Sequence, residues 1–291
     1  MTDTTSLRPL MFSVAYGMLG SVAEAEDVAQ EAQLRMMRET GEIRSPAAYA
    51  VTVTTRLAID QLRSARARRE VYVGAWLPEP LVAGDPMADP SVRAEATDQL
   101  SMALLVMLER LSPVERAVFL LREVFQYEYD RIAEIVERSP GNCRQILARA
   151  RAHVRADQPR FDTRPDRHAA LLDRFLAAAT TGDLAGLEAL LADDITVTGD
   201  GGGKVPALTT PVQGRTRVAR FLVGLFRQAE RLGARLEPAV VNGELGGRAI
   251  SPDGQTVAVF AFDIVDDRIA AVYNVVNPDK LTRLSPPDSA E

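Results

Sequence analysis

The beginning of the chain carries a helical pattern of apolar positions. From Leu7 to Leu19 apolar residues recur at the spacing of one face of an α-helix, and Gly20-Ser21 interrupts the pattern. A second helix is predicted to end near Gly41, and Ser45-Pro46 is typical of the start of a third, which continues to about Glu70. In the second helix, the positions predicted to be buried include Val28, Ala32, Leu34 and Met36.

Proline and glycine interrupt the helical pattern at two further places. The stretch WLPEPLVAGDPMADP and the stretch QPRFDTRP both have the composition of linkers, and helical periodicity returns between them. These breaks predict a first helical domain over residues 1–72, a linker over 73–91, a second helical domain over 92–157, a linker over 158–166 and a third domain over 167–291.

The third domain changes from helical to strand-like patterns. Its first segment, HAALLDRFLAAATTGDLAGLEALLADD, reads as helix with a break at Gly182. Strand-like runs follow, with an amphipathic helix over 218–226 between them and a hairpin turn at Asp266-Asp267. Those runs are 195–197, 240–241, 256–265 and 269–276. The chain is therefore predicted to be multidomain, with two all-α domains and an α+β domain.

The charge distribution is uneven. The net charge is −6, which by itself argues against nucleic acid, but phosphate attraction acts over only about 10 Å, so local charge matters more. Residues 56–69 hold five arginines and one aspartate, and residues 138–160 hold six arginines and one aspartate. Each patch alone could equally be a solvated helix face, whereas two patches allow the protein to grip DNA at two places.

The second patch lies in a predicted helix-turn-helix, YEYDRIAEIVERSPGNCRQILARARAHV. Its first helix would bury Ile132, Ala133 and Val136, its turn would be residues 138–141, and its second helix would bury Cys143, Ile146, Leu147 and Ala150. The second helix would present Asn142, Arg144, Gln145 and Arg149 outward. Arginine, asparagine and glutamine are the side chains that read base edges in the major groove. An ordinary helical hairpin with a polar surface is the alternative.

The first patch lies on the third predicted helix. Arg56, Asp60, Arg63 and Arg66 recur at spacings of three and four, which places them within reach of one helix face. Tyr49, two turns earlier, could stack on an unpaired base, although a tyrosine packed in the core is more common. Two DNA-binding modules joined by a proline-rich linker could span two separated DNA elements.

At this point the sequence resembles an extracytoplasmic-function sigma factor of RNA polymerase. AEDVAQEAQLRMMR resembles the helix of sigma domain 2 that docks on core polymerase, and RLAIDQLRSARARRE resembles the helix that contacts the downstream promoter element. Residues 111–154 resemble the helix-turn-helix sigma domain 4, which reads the upstream element. The third domain is similar to SnoaL-like domains of the nuclear-transport-factor-2-like fold. WLPEP, DGGGK and NPDKL match the sigma-J-like group that carries this fusion.

The resemblance implies a role for each matching residue. Core polymerase would bind Asp27, Gln30, Glu31, Leu34 and Arg35. The downstream element would face Tyr49, where such factors often carry Trp, together with Arg56, Asp60, Arg63 and Arg66. The upstream element would face Ser139, Asn142, Arg144, Gln145 and Arg149. An interdomain regulatory contact would be made by Trp76, Pro78, Asp200, Lys204, Asn277 and Asp279.

The implied partners are core RNA polymerase and promoter DNA, with the fused domain controlling activity. Cys143 is the single cysteine, and no cofactor, metal or membrane contact is expected. The chain start lacks the pattern of a secretory signal, so a cytoplasmic protein is expected. The GGGK run fails the phosphate-loop pattern, because Thr198 stands where that motif needs glycine and Val205 where it needs serine or threonine.

Three alternatives remain open from the sequence. The third domain could be an enzyme resembling ketosteroid isomerase, a fold relative that uses acidic residues and a tyrosine; Asp194, Asp263 and Tyr273 are the candidates. It could instead be a sensor for an unknown small molecule. The whole chain could also be a DNA-binding regulator that acts without polymerase, although the AEDVAQEAQLRMMR helix makes more sense as a docking surface.

Overall fold

The computed structural model describes residues 5–41, 43–69, 71–83, 100–155 and 165–284. These residues form two compact units. The first unit holds the helices before Tyr72 and most of the helices between Leu104 and Arg155. The second unit holds residues 72–83 and the whole of the third domain. Within the described ranges, no helix is long and apolar enough to cross a bilayer.

The first unit begins with three helices, as predicted. They are α1 (Arg8–Leu19), α2 (Val22–Arg38) and α3 (Pro46–Arg69). Gly20 ends α1 in the left-handed conformation that glycine adopts without strain, and the Ser21 side chain caps α2 by accepting a hydrogen bond from the Glu24 amide. The prediction that Leu34 is buried is wrong, since 39% of this residue is exposed.

The remaining helices of the first unit include the predicted helix-turn-helix. They are α4 (Met102–Leu108), α5 (Pro113–Phe119), α6 (Tyr129–Val136) and α7 (Pro140–Arg155), with a π-helical turn over Leu120–Val124. The Ser112 and Glu115 side chains form a capping box at the start of α5. All the positions predicted to be buried in α6 and α7 are buried.

The two helical modules pack against each other, whereas the sequence indicated only that a proline-rich linker joins them. The fully buried guanidinium of Arg116 in α5 donates to the Gly17 carbonyl of α1 at 3.0 Å and pairs with Glu109. A side chain at Gly17 would contact Leu120 at 3.3 Å, so α1 and the π-helical turn approach closely. The linker composition did not reveal this packing because it depends on contacts between residues far apart in sequence.

The second unit is a mixed sheet with helices on one face. The helices are α8 (Pro165–Thr181), α9 (Leu184–Leu190), α10 (Arg215–Arg231) and the short α11 (Pro278–Leu281). The strands are β1 (Leu191–Asp200), β2 (Val212–Gln213), β3 (Arg235–Val241), β4 (Glu244–Ile250), β5 (Thr256–Val265) and β6 (Arg268–Val275). Their order is β2-β1-β6-β5-β4-β3; β1 and β6 are parallel, and the other neighbouring pairs are antiparallel.

The core of the second unit lies between α8, α10 and the facing side of the sheet. Phe175 of α8 packs edge-on against Phe226 of α10 and Phe262 of β5, with ring centroids 6.0 and 5.1 Å apart. Because strand side chains alternate between faces, the even-numbered positions of β5 near this core face the helices and the odd-numbered ones face away. In β6 the same holds from Ala271 onward, after the irregular pairing that follows Ile269, which itself belongs to the core. We call these the helix face and the outer face.

The strand predictions for this unit are partly correct. The hairpin at Asp266-Asp267 is confirmed, since both residues have the positive φ of a type I′ turn. Residues 191–194 were predicted to be helical but begin β1, because pairing with β6 decides their conformation. Strands β2 and β4 were missed: β2 has two residues, and β4 contains consecutive glycines that obscure the alternating pattern.

Candidate DNA-binding surfaces and linker site

The second helix of the predicted helix-turn-helix exposes three of the four side chains that were predicted to point outward. Glu137 ends α6 with φ 56°, which turns the chain sharply, and the Ser139 hydroxyl caps α7 by accepting from the Asn142 amide at 3.2 Å. Arg144, Gln145 and Arg149 are exposed on α7, while Asn142 is half-buried. Ser139 therefore has a structural role besides the DNA contact that the resemblance assigns to it.

Arg144 is held by an aromatic ring that sequence analysis did not identify. Its guanidinium carbon lies 4.9 Å from the ring centroid of Tyr129, at the start of α6, and that of Arg122 lies 5.0 Å from the same centroid. Arg122 also donates to the Tyr127 carbonyl at 2.8 Å. Such cation–π contacts restrict a long side chain. No spacing rule pairs Tyr129 with Arg144, because they lie on different helices.

The basic face of α3 is only partly open. Arg56 donates from Nε to the Ile135 carbonyl at 3.0 Å and from Nη2 to the Glu134 carbonyl at 2.8 Å, both near the end of α6, where the helix dipole attracts cations. It also pairs with Glu137 at 3.2 Å. Arg56 was predicted to face DNA, and in this arrangement it faces α6 instead.

The other α3 positions remain on the surface. Asp60 and Arg63 are exposed and pair with each other at 2.9 Å. Tyr49 is half-buried and donates its hydroxyl to Glu39 at 2.9 Å; burial and this carboxylate raise the pKa of Tyr49. The side chain of Arg66 lies outside the described part of the structure.

A second arginine joins α6 to α3. Arg131 of α6 donates from Nη2 to the Ala48 carbonyl at 2.6 Å and to the Thr52 hydroxyl at 2.7 Å. Its Nη1 pairs with Glu134 at 2.6 Å. Together Arg56 and Arg131 form what we call the α3–α6 contact, which the sequence did not predict.

The predicted polymerase-docking helix presents a mixed polar and apolar surface. On α2 the residues assigned to this role are exposed except Glu31, which is half-buried and pairs with Arg35 at 2.8 Å. Leu34 is 39% exposed and Met37 is 68% exposed. Large exposed apolar side chains beside charged ones are typical of a surface that binds a partner. Met37 was missed because it does not fall on the matched motif positions.

The second unit contains a site that holds the linker. Asp200, at the end of β1, is fully buried, and its carboxylate accepts four hydrogen bonds. Oδ1 accepts from the Tyr72 hydroxyl at 2.6 Å and the Gly202 amide at 3.0 Å. Oδ2 accepts from the Leu77 amide at 2.8 Å and from Lys280 Nζ at 2.7 Å. Two of these four donors belong to the third domain, and the other two belong to Leu77 of the linker and to Tyr72. Tyr72 was predicted to end the first domain, but it lies in the second unit, and we count it with the linker from here on.

Lys280 completes the site from the other side. Its Nζ lies 4.2 Å from the ring centroid of Trp76 and 5.4 Å from that of Tyr72, and it also donates to the Leu77 carbonyl. Burial and the neighbouring Asp200 raise the pKa of the Tyr72 hydroxyl, so it acts as a proton donor to that carboxylate. Sequence analysis singled out Trp76 and Asp200 but neither Tyr72 nor Lys280.

The remaining residues of the DGGGK and NPDKL motifs lie around the Asp200–Lys280 ion pair. Asn277 Nδ2 donates to the Tyr72 hydroxyl at 2.8 Å, while its Oδ1 caps α11. Gly202 has φ 62°, and a side chain there would lie 2.4 Å from Asn277 Nδ2, so the DGGGK turn requires glycine at this position. Lys204 pairs with Asp279 at 2.6 Å on the surface. We call Tyr72, Trp76, Leu77, Asp200, Asn277 and Lys280 the linker site.

The linker then continues along the edge strand β3. Leu81 and Asn242 exchange hydrogen bonds: the Asn242 amide donates to the Leu81 carbonyl at 2.7 Å, and Asn242 Oδ1 accepts from the Leu81 amide at 3.1 Å. The Ala83 amide donates to the Val240 carbonyl at 2.9 Å. Pro78 and Leu81 are buried. Residues 77–83 are thus part of the second unit and not a free tether.

None of the three residues considered for catalysis lines the cavity described in this unit. Asp194 is exposed on β1. Asp263 and Tyr273 lie on the outer face of the sheet, and burial raises the pKa of Asp263 to about 6. The cavity of this unit lies on the helix face and is lined by residues such as Phe260 and Asn274. An acid on one face cannot act on a molecule held on the other.

Comparison with known proteins matches each segment. The Sigma-70 region 2 family matches residues 4–68, the Sigma-70 region 4 family residues 101–154, and the SnoaL-like domain family residues 172–272. These matches confirm the predicted fold class and the predicted family for each domain.

Whole-chain relatives support the same assignment. The chain is 38% identical to the ECF RNA polymerase sigma factor SigJ of Mycobacterium tuberculosis, over 97% of this chain and 93% of SigJ. It is 35% identical to the probable sigma factor SigI of that organism, over 61% of each chain. The crystal structure of SigJ superposes with a TM-score of 0.79 at 36% identity, covering 96% of this chain and 97% of that one. The chain therefore belongs to the extracytoplasmic-function RNA polymerase sigma factors, with a SnoaL-like domain fused after the two sigma regions.

Proposed function

We propose that this protein directs core RNA polymerase to specific promoters in the cytoplasm, and that its SnoaL-like domain controls this activity by holding the linker between the sigma regions. The observation that carries the regulatory part is the buried Asp200 carboxylate, which bonds to both Tyr72 and Leu77 of the linker. A tethered contact acts at an effective concentration in the millimolar range, so it needs little intrinsic affinity.

The proposed docking and reading surfaces follow from exposure and charge. Asp27, Gln30 and Leu34 on α2 would bind core polymerase, where the exposed Met37 extends the surface. Arg144, Gln145 and Arg149 on α7 would face the upstream element. Each good bidentate contact to a base contributes roughly 1–3 kcal/mol of discrimination.

The α3–α6 contact supports a closed state of the helical unit. Arg56 cannot donate to the carbonyls of α6 and to promoter DNA at the same time, so this arginine of the downstream face becomes available only when α6 moves away. If a minority of molecules is open, apparent promoter affinity is reduced by that fraction. The closed state is thus a second level of control, within the sigma regions themselves.

We also propose that the SnoaL-like domain acts without catalysis. Its candidate acids and tyrosine are exposed or lie on the outer face, whereas its cavity opens on the helix face. Turnover of a ketone substrate that is abolished by changing Asp263 or Asp194 would contradict this.

The test of the linker function is transcription from a promoter with reconstituted core polymerase, using the full chain. Asp200→Asn is expected to change promoter-directed output while core binding stays at the wild-type level, because α2 is untouched. Lys204→Ala, which removes only a surface ion pair of the same motif, is the matched control. Wild-type output from Asp200→Asn would exclude control through the linker, and DNA binding without any association with core polymerase would favour a polymerase-independent regulator.

The closed state has a separate test. Arg131→Ala removes two hydrogen bonds that exist only in the α3–α6 contact, worth roughly 1–2 kcal/mol together, and so should raise the open population about 5–30-fold. Promoter affinity should rise with it. Arg56→Ala removes both a closed-state contact and a proposed DNA contact, so its promoter affinity should be lower than that of Arg131→Ala. Equal affinities for the two variants and the wild type would refute the closed state.

A further inference from the structure

Helix α10 of the SnoaL-like domain has a basic face that neither the core nor the linker site uses. The helix contains five arginines and one glutamate, in a chain whose net charge is −6. Because an α-helix turns by about 100° per residue, four of these arginines lie on one arc of about 80°, and all four are exposed. We call this surface the α10 stripe; its arginines are Arg217, Arg220, Arg227 and Arg231.

The arginines of the α10 stripe have no partner in the protein. Among the described residues, none of the four forms a hydrogen bond or an ion pair. The fifth arginine of the helix differs: Arg215 pairs with Asp193 at 2.6 Å and donates to the Leu191 carbonyl at 3.1 Å. Like charges three or four positions apart destabilise a helix. The stripe therefore does not stabilise α10, whereas an anion outside the chain would relieve its repulsion.

A glycine lies at the centre of the stripe, although nothing inside the protein requires one. Gly224 is exposed in the middle of α10, where glycine destabilises a helix relative to alanine. A side chain at this position would meet no atom within 4 Å, so packing does not exclude one. Glycine does allow another molecule to approach the backbone closely. Its position between Arg220 and Arg227 on the same arc fits an external partner that lies along the helix.

We propose that the α10 stripe binds the phosphate backbone of duplex DNA, with the closest approach at Gly224. This inference rests on the proposed function, which brings promoter DNA to the protein. Arginine always carries its charge and binds phosphate through paired N–H donors. The four arginines are spread over about 21 Å of helix, and a duplex carries one negative charge for about every 1.7 Å of its axis, so each arginine can reach a phosphate. Such contacts are independent of sequence and would add affinity for any promoter.

The surroundings of the stripe favour DNA over an anionic membrane. A helix that binds a membrane surface inserts an apolar face into the lipid. The apolar side of α10, which includes Val218, Leu222 and Phe226, is buried in the core of the domain. Among the residues of α10, all of which the structure describes, no large apolar side chain is exposed. The helix therefore offers charge alone, which suits a phosphate backbone.

The test measures how salt affects the binding of the full chain to DNA. Fluorescence anisotropy with a labelled duplex of arbitrary sequence gives the association constant at several salt concentrations, and each phosphate contact contributes about 0.9 to the slope of its logarithm against that of the salt concentration. Arg220→Gln and Arg227→Gln should each reduce the slope by about 0.9, and the double variant by about 1.8. Arg235→Gln, which changes an exposed arginine on β3, is the matched control and should keep the wild-type slope. Unchanged slopes in the stripe variants, or an equal loss in Arg235→Gln, would overturn the proposal.

Substitution of Gly224 tests the close approach without changing the charge. Gly224→Leu places a side chain in open space and improves helix propensity, so the melting temperature should not fall. The leucine should hold the duplex away from the arginines and reduce the slope, while Gly224→Ala, which adds one methyl group, should reduce it less. A wild-type slope in Gly224→Leu would refute the close approach at this glycine.

Two further measurements separate this inference from its alternatives. Arg149→Gln tests the α7 surface of the proposed function in the same assay. If it reduces the slope and the stripe variants do not, promoter binding through α7 stands and the stripe inference is wrong; the converse result supports the stripe and contradicts the role of α7. If neither reduces the slope, both are wrong. Sedimentation with vesicles of phosphatidylserine and phosphatidylcholine tests the membrane: vesicle binding that Arg220→Gln abolishes, with an unchanged slope on DNA, would overturn the proposal in favour of a lipid surface.

Discussion

Replacing Asp200 by asparagine is the sharpest perturbation of the linker site. Asparagine keeps the shape of the side chain, and its oxygen can still accept from Tyr72 and Gly202. Its amide nitrogen, however, would meet two donors, the Leu77 amide and Lys280 Nζ, which the carboxylate now accepts at 2.8 and 2.7 Å. The substitution therefore leaves one backbone donor unpaired and one buried charge without its partner.

The magnitude follows from burial. The Asp200 side chain is 0% exposed and that of Lys280 is 11% exposed, so water replaces little of the lost interaction. Breaking a buried ion pair by removing one partner costs about 3–5 kcal/mol. With a urea dependence of about 2 kcal/mol per M, this lowers the unfolding midpoint by about 2 M. Lys204→Ala breaks an ion pair whose side chains are 53% and 61% exposed, and should cost about 0.2–1 kcal/mol.

The assay uses Trp76, the only tryptophan of the chain, whose ring lies under Lys280. Its fluorescence in a urea titration reports the linker site directly. In Asp200→Asn, the linker either stays bound, with the lower midpoint, or detaches, with Trp76 emission shifted to the red in the absence of urea. A midpoint as close to the wild type as that of Lys204→Ala, with unshifted emission, would refute the reasoning.

Three further perturbations test other parts of the molecule. Arg144→Ala should weaken recognition of one upstream base pair by about 1–3 kcal/mol and leave core binding unchanged. Tyr129→Leu should reduce the preference for that base pair, and Tyr129→Phe should keep it, because the Tyr129 ring holds Arg144. A uniform loss of affinity for all promoter variants would argue against positioning of Arg144 by this ring. Replacing Leu34 and Met37 together by serine should weaken core binding in a pull-down without lowering thermal stability, because both are exposed; unchanged binding would remove them from the docking surface. Burial raises the pKa of Asp263 to about 6 in the folded state, so the contribution of this group to stability is fully present below about pH 4 and is lost as pH rises to about 6. Glu244, whose pKa burial and the Asp263 charge raise to about 7, extends the loss to higher pH. Asp263→Asn should flatten the part of the fall between about pH 4 and 6 in urea titrations, and an unchanged pH profile would contradict this.

The sequence was sufficient for elements whose formation is decided locally. Ser21 and Ser45-Pro46 mark the starts of α2 and α3, and Asp266-Asp267 marks a hairpin, because each depends on contacts within a few residues. The fold class followed from the succession of helical and alternating patterns. Strand β4 was not predicted, because its two glycines interrupt the alternation of apolar and polar side chains.

The candidate sites were predicted only where a motif names the residue. Asp200 and Trp76 lie within such motifs, and the structure brings both into the linker site. Tyr72 and Lys280 are equally central. Tyr72 precedes the WLPEP motif and acts through a hydroxyl 128 residues from its partner, and Lys280 lies within NPDKL but was not assigned to the contact. Contacts of this separation follow from the tertiary fold, so neither periodicity nor spacing could indicate them.

The α3–α6 contact and the linker site differ in chemistry, and we expect this difference to set the order in which they open. The α3–α6 contact uses partly exposed arginines: the Arg56 and Glu137 side chains are 47% and 71% exposed, so water and salt compete with their pairing. The linker site depends on a buried carboxylate whose partners cannot be replaced by water without opening the site. Thermal motion and rising salt should therefore separate α6 from α3 while the linker remains bound. We therefore expect promoter binding and linker release to be separable, with promoter binding sensitive to ionic strength and linker release sensitive to changes in the surroundings of Asp200.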